Sequence, residues 1–161
     1  MSLAKTPSQT VGPYYAIGLT RRDQNELASP ADAAALRLHG QLLDGDRRPV
    51  NDGLIEVWDR VGKRWGRSGT DADGRFSFVV TKPDADGAEA PRLDVFVFAR
   101  GLLRHQLTRI YFPGEPANDT DPVLSALSDD ERSTLVAQAE DGALRFDIHL
   151  QGGDQTVFFA H

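Results

Sequence analysis

The length, composition and charge of the chain exclude several classes of protein. Its 161 residues can bury one sizeable core, and the absence of cysteine excludes disulfide bonds, thiolate metal sites and a cysteine nucleophile. The formal net charge of −6 argues against a nucleic-acid-binding surface, which needs concentrated lysine and arginine. No basic start precedes a long apolar run, and no apolar stretch approaches a membrane span, so we expect a soluble, cytoplasmic protein.

The first 35 residues are the least regular part of the sequence. The stretch TPSQTVGPYYAIGLT, residues 6–20, has neither a helical period nor strand alternation, and Pro7 and Pro13 stiffen its backbone. We therefore predict an N-terminal arm and irregular segment over residues 1–35, followed by a single β-sandwich core over residues 36–161. An arm of this kind either straps its own domain or contacts another molecule.

Alternation of apolar and polar residues dominates the rest of the chain. This period predicts strands over residues 36–42, 53–59, 75–80, 92–99, 107–112, 143–150 and 155–159. Turn-forming residues separate the runs, as in DGDRRPVNDG and DADG. The pattern predicts an all-β fold, a sandwich of two antiparallel sheets.

The stretch SDDERSTLVAQA, residues 128–139, carries the one strong helix signal. Ser128 and Glu131 have the spacing of a capping box, and acidic residues fill the first turn, where the helix dipole favours negative charge. We predict one principal short helix here, and we expect it to cover an edge of the sandwich.

The residue types alone reveal no catalytic or metal site. TDADGRF, residues 70–76, resembles half of a calcium loop, but its twelfth position falls on Lys82 where a bidentate glutamate is needed. The four histidines include no pair at metal-binding spacing. A non-enzymatic β-sandwich that serves as a binding or accessory module is therefore one interpretation of the sequence.

Arg100 follows the run VFVFA at the end of the most apolar predicted strand. A guanidinium in such a place usually has a partner. The sequence leaves two partners open, a carboxylate of the same domain, which would make a structural salt bridge, or a bound ligand.

Several motifs, in order along the chain, resemble those of one enzyme family. The arm TPSQTVGPYYAIGL, the strand IEVWD, the turn TDADGRFSF and the segments VFARG, LTRIYF and LRFDIHLQGGDQTVFF run from about residue 6 to residue 159. They are similar to the alpha chains of protocatechuate 3,4-dioxygenases, which are intradiol ring-cleaving enzymes. The loop RVGKRWGRSG and the region after the arm are shorter than in typical relatives.

The resemblance implies a subunit that carries no iron of its own. In this family a homologous beta chain binds non-haem Fe(III) through two tyrosines and through two histidines of an H-x-H strand. The matching strand here has Arg92 and Asp94 at the two histidine positions, whereas imidazole and tyrosinate are the donors suited to ferric ion. As an alpha–beta hetero-oligomer, such a chain takes part in the cleavage of protocatechuate by O2 to 3-carboxy-cis,cis-muconate, within the beta-ketoadipate pathway of aromatic catabolism.

The resemblance also implies a role for the arm. In the family the active site lies where the two chains meet, and the T-x-G-P-Y motif of the alpha arm reaches over the iron pocket of the beta chain, together with the arginine of FARG. The residues expected by this resemblance to line the substrate pocket are Thr10, Gly12, Pro13, Tyr14 and Arg100. A self-sufficient homodimer would need iron ligands that this sequence does not offer.

Overall fold

The computed structural model describes residues 4–12 and 14–160. Within these residues two β-sheets enclose a shared apolar core. The strands are β1 (Leu36–Leu43), β2 (Leu54–Asp59), β3 (Arg64–Gly69), β4 (Arg75–Val80), β5 (Arg92–Phe98), β6 (Gln106–Tyr111), β7 (Gln138–Glu140), β8 (Ala143–Arg145) and β9 (Ile148–His149). The helical elements of the described part are α1 (Tyr15–Leu19), α2 (Asp129–Ser133) and the 3-10 turns Pro116–Asp119 and Leu124–Ala126.

The two sheets confirm the predicted β-sandwich, with one correction to its strand directions. The five-stranded sheet has the order β4-β1-β8-β7, with β9 also paired to β1, and the four-stranded sheet has the order β3-β2-β5-β6. The strand pairings in the described residues are antiparallel, apart from those of β1 with β8 and with β9, which are parallel. Between β1 and β8 the chain passes through β2 to β7, and such a long connection between the paired strands is what a parallel pairing requires.

The core is built from alternate residues of the strands, as a half-buried sheet requires. Its buried members in the five-stranded sheet and its flanks are Leu38, Leu42, Phe76, Phe78, Leu144, Phe146 and Ile148, and those in the four-stranded sheet are Ile55, Val57, Leu93, Val95, Val97 and Ile110. A smaller cluster of Ala90, Tyr111, Leu124 and Leu135 lies under the 3-10 turns. Side chains of β5 that alternate with the core set therefore face the opposite side of the sheet.

The predicted helix over residues 128–139 is correct at its start but too long. Its capping box is present, yet α2 ends at Ser133. The amide of Tyr111 donates to the carbonyl of Leu135 at 2.8 Å, and the amide of Ala137 donates to the carbonyl of Tyr111 at 3.0 Å. Leu135 and Ala137 are buried, so the stretch after α2 follows a period of two and leads into β7 instead of continuing the helix.

Two predicted strands and one expected loop also differ from the structure. The predicted strand over residues 143–150 is divided into β8 and β9, because the Asp147 side chain accepts the amide of Gln41 at 3.0 Å in place of a backbone carbonyl. Residues 155–159 keep one isolated bridge, between Phe159 and Leu107, and form no strand. The loop expected after IEVWD instead contains β3, which pairs with β2 along its whole length.

The segment that follows α1 is irregular but packs closely on the sandwich. Leu27 lies in the core, and its amide donates to the carbonyl of Val79 at 2.8 Å. The side chain of Leu27 also lies against Gly66 of β3, where an added Cβ would be 2.3 Å from it. The domain division at residue 35 stays a prediction. Across the described residues, the helices lack the length and apolar character that a membrane crossing requires.

The substitution Gly40→Ala tests the close approach of the chain between β8 and β9 to β1. A Cβ at residue 40 would lie 1.8 Å from the carbonyl oxygen of Phe146, so the backbone would have to move. We expect the free energy of unfolding to fall by about 1–3 kcal/mol, measured by urea unfolding. Gly153→Ala is the control, because a Cβ there has no neighbour within 4 Å. Equal stability of the two variants would contradict this packing.

Candidate functional site at the arm and the end of β5

The arm meets the sandwich at the carboxyl end of β5. The hydroxyl of Thr10 donates to the carbonyl of Ala99 at 3.1 Å, and it accepts a hydrogen bond from the amide of Gly101 at 3.0 Å. Gly101 has a φ of +94°, a left-handed value that favours glycine and turns the chain back. The two hydrogen bonds lie on either side of Arg100, so Thr10 fixes the backbone that carries this arginine.

Tyr15 holds the arm at a second point. Its hydroxyl donates to the carbonyl of Gly53 at 2.6 Å, just before β2 begins. Burial raises the pKa of Tyr15, and the neighbouring Asp52 carboxylate raises this pKa further. The hydroxyl therefore stays protonated at neutral pH and remains a hydrogen-bond donor.

Arg100 extends from this fixed turn towards solvent and towards Asp52. Its Nε lies 3.0 Å from Oδ2 of Asp52, and 75% of the Arg100 side chain is exposed compared with 23% of the Asp52 side chain. Of the two partners that the sequence left open, a carboxylate of the same domain is therefore present. An exposed ion pair contributes only about 0–1 kcal/mol to stability, so this contact does not by itself account for the arginine.

The predicted pocket residues have different environments. Thr10 and Arg100 are brought together by the hydrogen bonds described above. Gly12 is exposed, and its carbonyl accepts the amide of Tyr15 at 3.2 Å. Tyr14 is 76% exposed, and Pro13 lies outside the described residues.

Sequence reasoning missed two residues of this site. Tyr15, and not its neighbour Tyr14, makes the hydrogen bond to the sandwich. Asp52 was interpreted only as part of a turn, although it supplies the carboxylate beside Arg100. The adjacent Asn51, Asp52 and Gly53 are typical turn residues, so nothing local distinguishes Asp52.

Apolar surface surrounds the arm. A cleft of about 410 Å³ lies between arm residues Ser8, Gln9 and Val11 and the loop over residues 102–105, with Phe98 also in its lining. The large apolar side chains of Tyr14, Ile17 and Leu103 are exposed near this end of the molecule. Exposed apolar side chains grouped in one region are typical of a surface that another molecule covers.

The opposite end of β5 holds a buried charge network at the two positions where the resemblance places metal-binding histidines. Arg92 is 6% exposed; it forms an ion pair with Glu89, and its Nε lies 3.6 Å from Oδ1 of Asp94. Arg109 of β6 lies beside the same two carboxylates, at 3.2 Å from Glu89 and 3.5 Å from Asp94. Burial raises the pKa of Asp94, while Arg92 and Arg109 lower it in part.

This network does not fit a ferric ion. The Tyr111 hydroxyl lies 3.3 Å from both Nη1 of Arg109 and Oδ1 of Asp121, and burial raises the pKa of this tyrosine, which favours its protonated form. A buried guanidinium repels a metal cation, and protonated tyrosine is a poor ligand. Among residues 4–12 and 14–160, moreover, the structure places no group of three or more His, Asp or Glu side chains that could hold a metal ion.

Comparisons with known proteins identify the family. The chain is 40% identical to the protocatechuate 3,4-dioxygenase alpha chain of Burkholderia cepacia over 193 aligned residues, which cover 98% of each chain. This chain belongs to the family of protocatechuate 3,4-dioxygenase alpha chains. It is also 38% identical to the alpha chain of Pseudomonas putida over 194 aligned residues, 98% of this chain and 96% of the other. Both alignments are longer than the 161 residues of the chain, so these alpha chains carry segments that this chain lacks. No protein-family model matches the chain.

More distant relatives extend the comparison. The chain is 28% identical to the protocatechuate 3,4-dioxygenase beta chain of Burkholderia cepacia over 151 residues, 73% of this chain and 64% of the beta chain. The solved dioxygenase domain of a dioxygenase carbohydrate-binding protein fusion from Streptomyces sp. SirexAA-E matches with a TM-score of 0.64 at 23% identity, over 93% of this chain and 100% of the domain. Hydroxyquinol 1,2-dioxygenase from Pseudomonas putida matches with a TM-score of 0.60 at 20% identity, over 92% of this chain and 67% of the dioxygenase chain. At these identities the two structures show only that the fold is shared. As a family, intradiol dioxygenases depend on non-haem iron.

The substitution Arg92→Ala tests whether the buried network of this alpha chain is structural. Removing Arg92 leaves Glu89 and Asp94 with Arg109 as their remaining cation, so we expect the free energy of unfolding to fall by about 3 kcal/mol, measured by urea unfolding. Arg75→Ala is the control, because Arg75 belongs to an exposed pair with Asp73 and should cost less than about 1 kcal/mol. Equal losses for the two variants would contradict a structural role for the buried network.

Proposed function

We propose that this chain is the alpha subunit of a protocatechuate 3,4-dioxygenase and that it completes an active site carried by a homologous beta subunit. The reaction is the intradiol cleavage of protocatechuate by O2 to 3-carboxy-cis,cis-muconate. The observation that carries the proposal is the pair of Thr10 hydrogen bonds on either side of Arg100, in a chain that belongs to the alpha-chain family. These bonds join the arm to the turn that carries an exposed cation.

Each residue of the pocket has a role that its chemistry supports. Arg100 offers a planar guanidinium, which binds a carboxylate through two parallel hydrogen bonds, and protocatechuate carries a carboxylate. Tyr14 offers an exposed aromatic wall with a hydroxyl, and Gly12 allows the backbone to approach a ligand closely. Pro13 lies outside the described residues, and only the resemblance assigns it to this pocket. Together these residues bind and orient the substrate and exclude water, while Thr10 holds the turn in place.

In this proposal the Fe(III) belongs to the beta chain. When bound there, the Fe(III) would activate the catechol for reaction with O2. The residues described in this chain would take no part in binding the iron. The support from this chain is the network around Arg92 and Asp94, which replaces histidine with a buried guanidinium and a carboxylate. The contribution of this chain is therefore shape and positive charge at the substrate.

The partner is a beta subunit, in an alpha–beta heterodimer that assembles further. Two observations support this part of the proposal: the relationship to a beta chain at 28% identity, and the exposed side chains of Tyr14, Ile17 and Leu103 around the arm. Burial of such side chains against a partner is a typical source of stability in permanent complexes. The cytoplasmic location and the place in the beta-ketoadipate pathway stay predictions.

The substitutions Arg100→Ala and Arg100→Lys, made in the purified alpha–beta complex, test the pocket role. Loss of one charge-assisted hydrogen bond to the substrate should lower kcat/KM for protocatechuate by about 10- to 150-fold, equivalent to about 1.5–3 kcal/mol. Arg100→Lys should recover only part of this loss, because an ammonium cannot reproduce the planar fork. Iron content and melting temperature should stay unchanged, because the exposed side chain fills no core position.

The matched control is Arg132→Ala, at the far end of the four-stranded sheet, where Arg132 pairs with Asp119 at 2.8 Å. This variant should keep the parental kcat/KM. If Arg100→Ala lowers the melting temperature while kcat/KM stays within about twofold of the parent, the arginine serves only its own domain and the pocket role is wrong.

A further inference from the structure

Asp52 contacts one particular part of the Arg100 side chain. Its Oδ2 lies 3.0 Å from Nε, the guanidinium nitrogen nearest the backbone. The closest approach of this ion pair is at Nε, so the two terminal nitrogens of the planar guanidinium, with their parallel donors, lie farther from Asp52. These two nitrogens form the edge that binds a second carboxylate through two parallel hydrogen bonds.

The turn that carries Asp52 is itself held in place. The amide of Gly53 donates to Oγ1 of Thr70 at 2.8 Å, and this hydroxyl donates to the carbonyl of Val50 at 2.8 Å. Tyr15 donates to the carbonyl of Gly53 at 2.6 Å. The Asp52 carboxylate therefore projects from a turn that both the sandwich and the arm constrain.

Arg100 projects from a second constrained turn, the one that Thr10 brackets. A long side chain on a fixed turn still rotates about its own bonds, and ordering it when a ligand binds costs affinity. A contact at Nε that exists before binding removes part of this cost. The Asp52 charge opposes a bound carboxylate, but its closest contact is with Nε and not with the terminal nitrogens that would bind the ligand.

We propose that Asp52 is a positioning residue, which orients Arg100 so that its terminal edge meets the carboxylate of the aromatic substrate. The inference rests on the proposed function, because it assigns Asp52 a role only in a pocket that Arg100 helps to line. Asp52 then contributes to the preference for a carboxylated catechol through Arg100 and makes no contact with the substrate itself.

The experiment is a double-mutant cycle on kcat/KM for protocatechuate, measured on the purified complex with the beta subunit. Asp52→Ala should lower kcat/KM by about 2- to 10-fold, mainly through a higher KM, as expected from the loss of one pre-ordered side chain. Asp52→Asn keeps an oxygen acceptor of the same shape and should recover most of this loss. In the Arg100→Ala background, Asp52→Ala should cause no further loss, because its effect passes through Arg100.

The matched control is Asp119→Ala, which removes the carboxylate from an exposed pair with Arg132 at the other end of the sheet. This variant should leave kcat/KM unchanged. Catechol, which lacks the carboxylate, serves as a second probe: Asp52→Ala should change its kcat/KM by less than about twofold in the same complex.

Two results would overturn the role of Asp52 and leave the proposed function intact. One is an Arg100→Ala variant that loses activity while Asp52→Ala keeps it. The other is a loss of kcat/KM from Asp52→Ala that is equally large in the parent and in the Arg100→Ala background. Such a result, together with a lower melting temperature, would mean that Asp52 acts on the fold and not through Arg100. If Arg100→Ala itself leaves kcat/KM unchanged, the proposed pocket role fails, and the positioning role fails with it.

Discussion

One hydroxyl group connects the N-terminal arm to the end of β5, the two parts of this molecule to which the proposed function assigns the substrate pocket. Thr10 lies in the arm and Arg100 at the end of a central strand, and the hydrogen bonds of Thr10 to Ala99 and Gly101 fix the position of each relative to the other. Without this contact the arm would keep the Tyr15 hydrogen bond to Gly53, but it would no longer be tied to the turn that carries Arg100. With it, the arm and the cation form one surface next to exposed apolar side chains.

The same strand, β5, carries at its start the two positions that the resemblance assigns to histidine ligands, and the residues described there do not suit a ferric ion. At one end of the strand Arg92 and Asp94 are buried in a network of ion pairs with Glu89 and Arg109, in which Nε and Nη2 of Arg92 make no hydrogen bond within the described residues. At the other end Arg100 is exposed and available to a ligand. We expect the first end to stabilise the fold, and the proposed function assigns the second end to a site on a partner. Family membership favours this interpretation over a non-enzymatic binding module.

The sequence was most informative where a pattern is local. Alternation located most strands of the sandwich, and the capping box located the start of α2. The predicted end of α2 was wrong because a capping box marks only where a helix begins, and buried Leu135 and Ala137, two residues apart, follow the period of a strand. Strand β3 was missed because Gly66, which makes room for Leu27, interrupts its alternation. Asp52 was missed because its contact with Arg100 joins distant parts of the chain.

The most direct measurement is O2-dependent ring cleavage of protocatechuate by this chain and its beta subunit, purified separately and then mixed in increasing ratio, with iron content determined for each. We expect this chain alone to be inactive and free of stoichiometric iron. The iron-loaded beta chain should gain activity as this chain is added, until the two are equimolar. Stoichiometric iron with ring cleavage by this chain alone, or a beta chain equally active without it, would contradict the account.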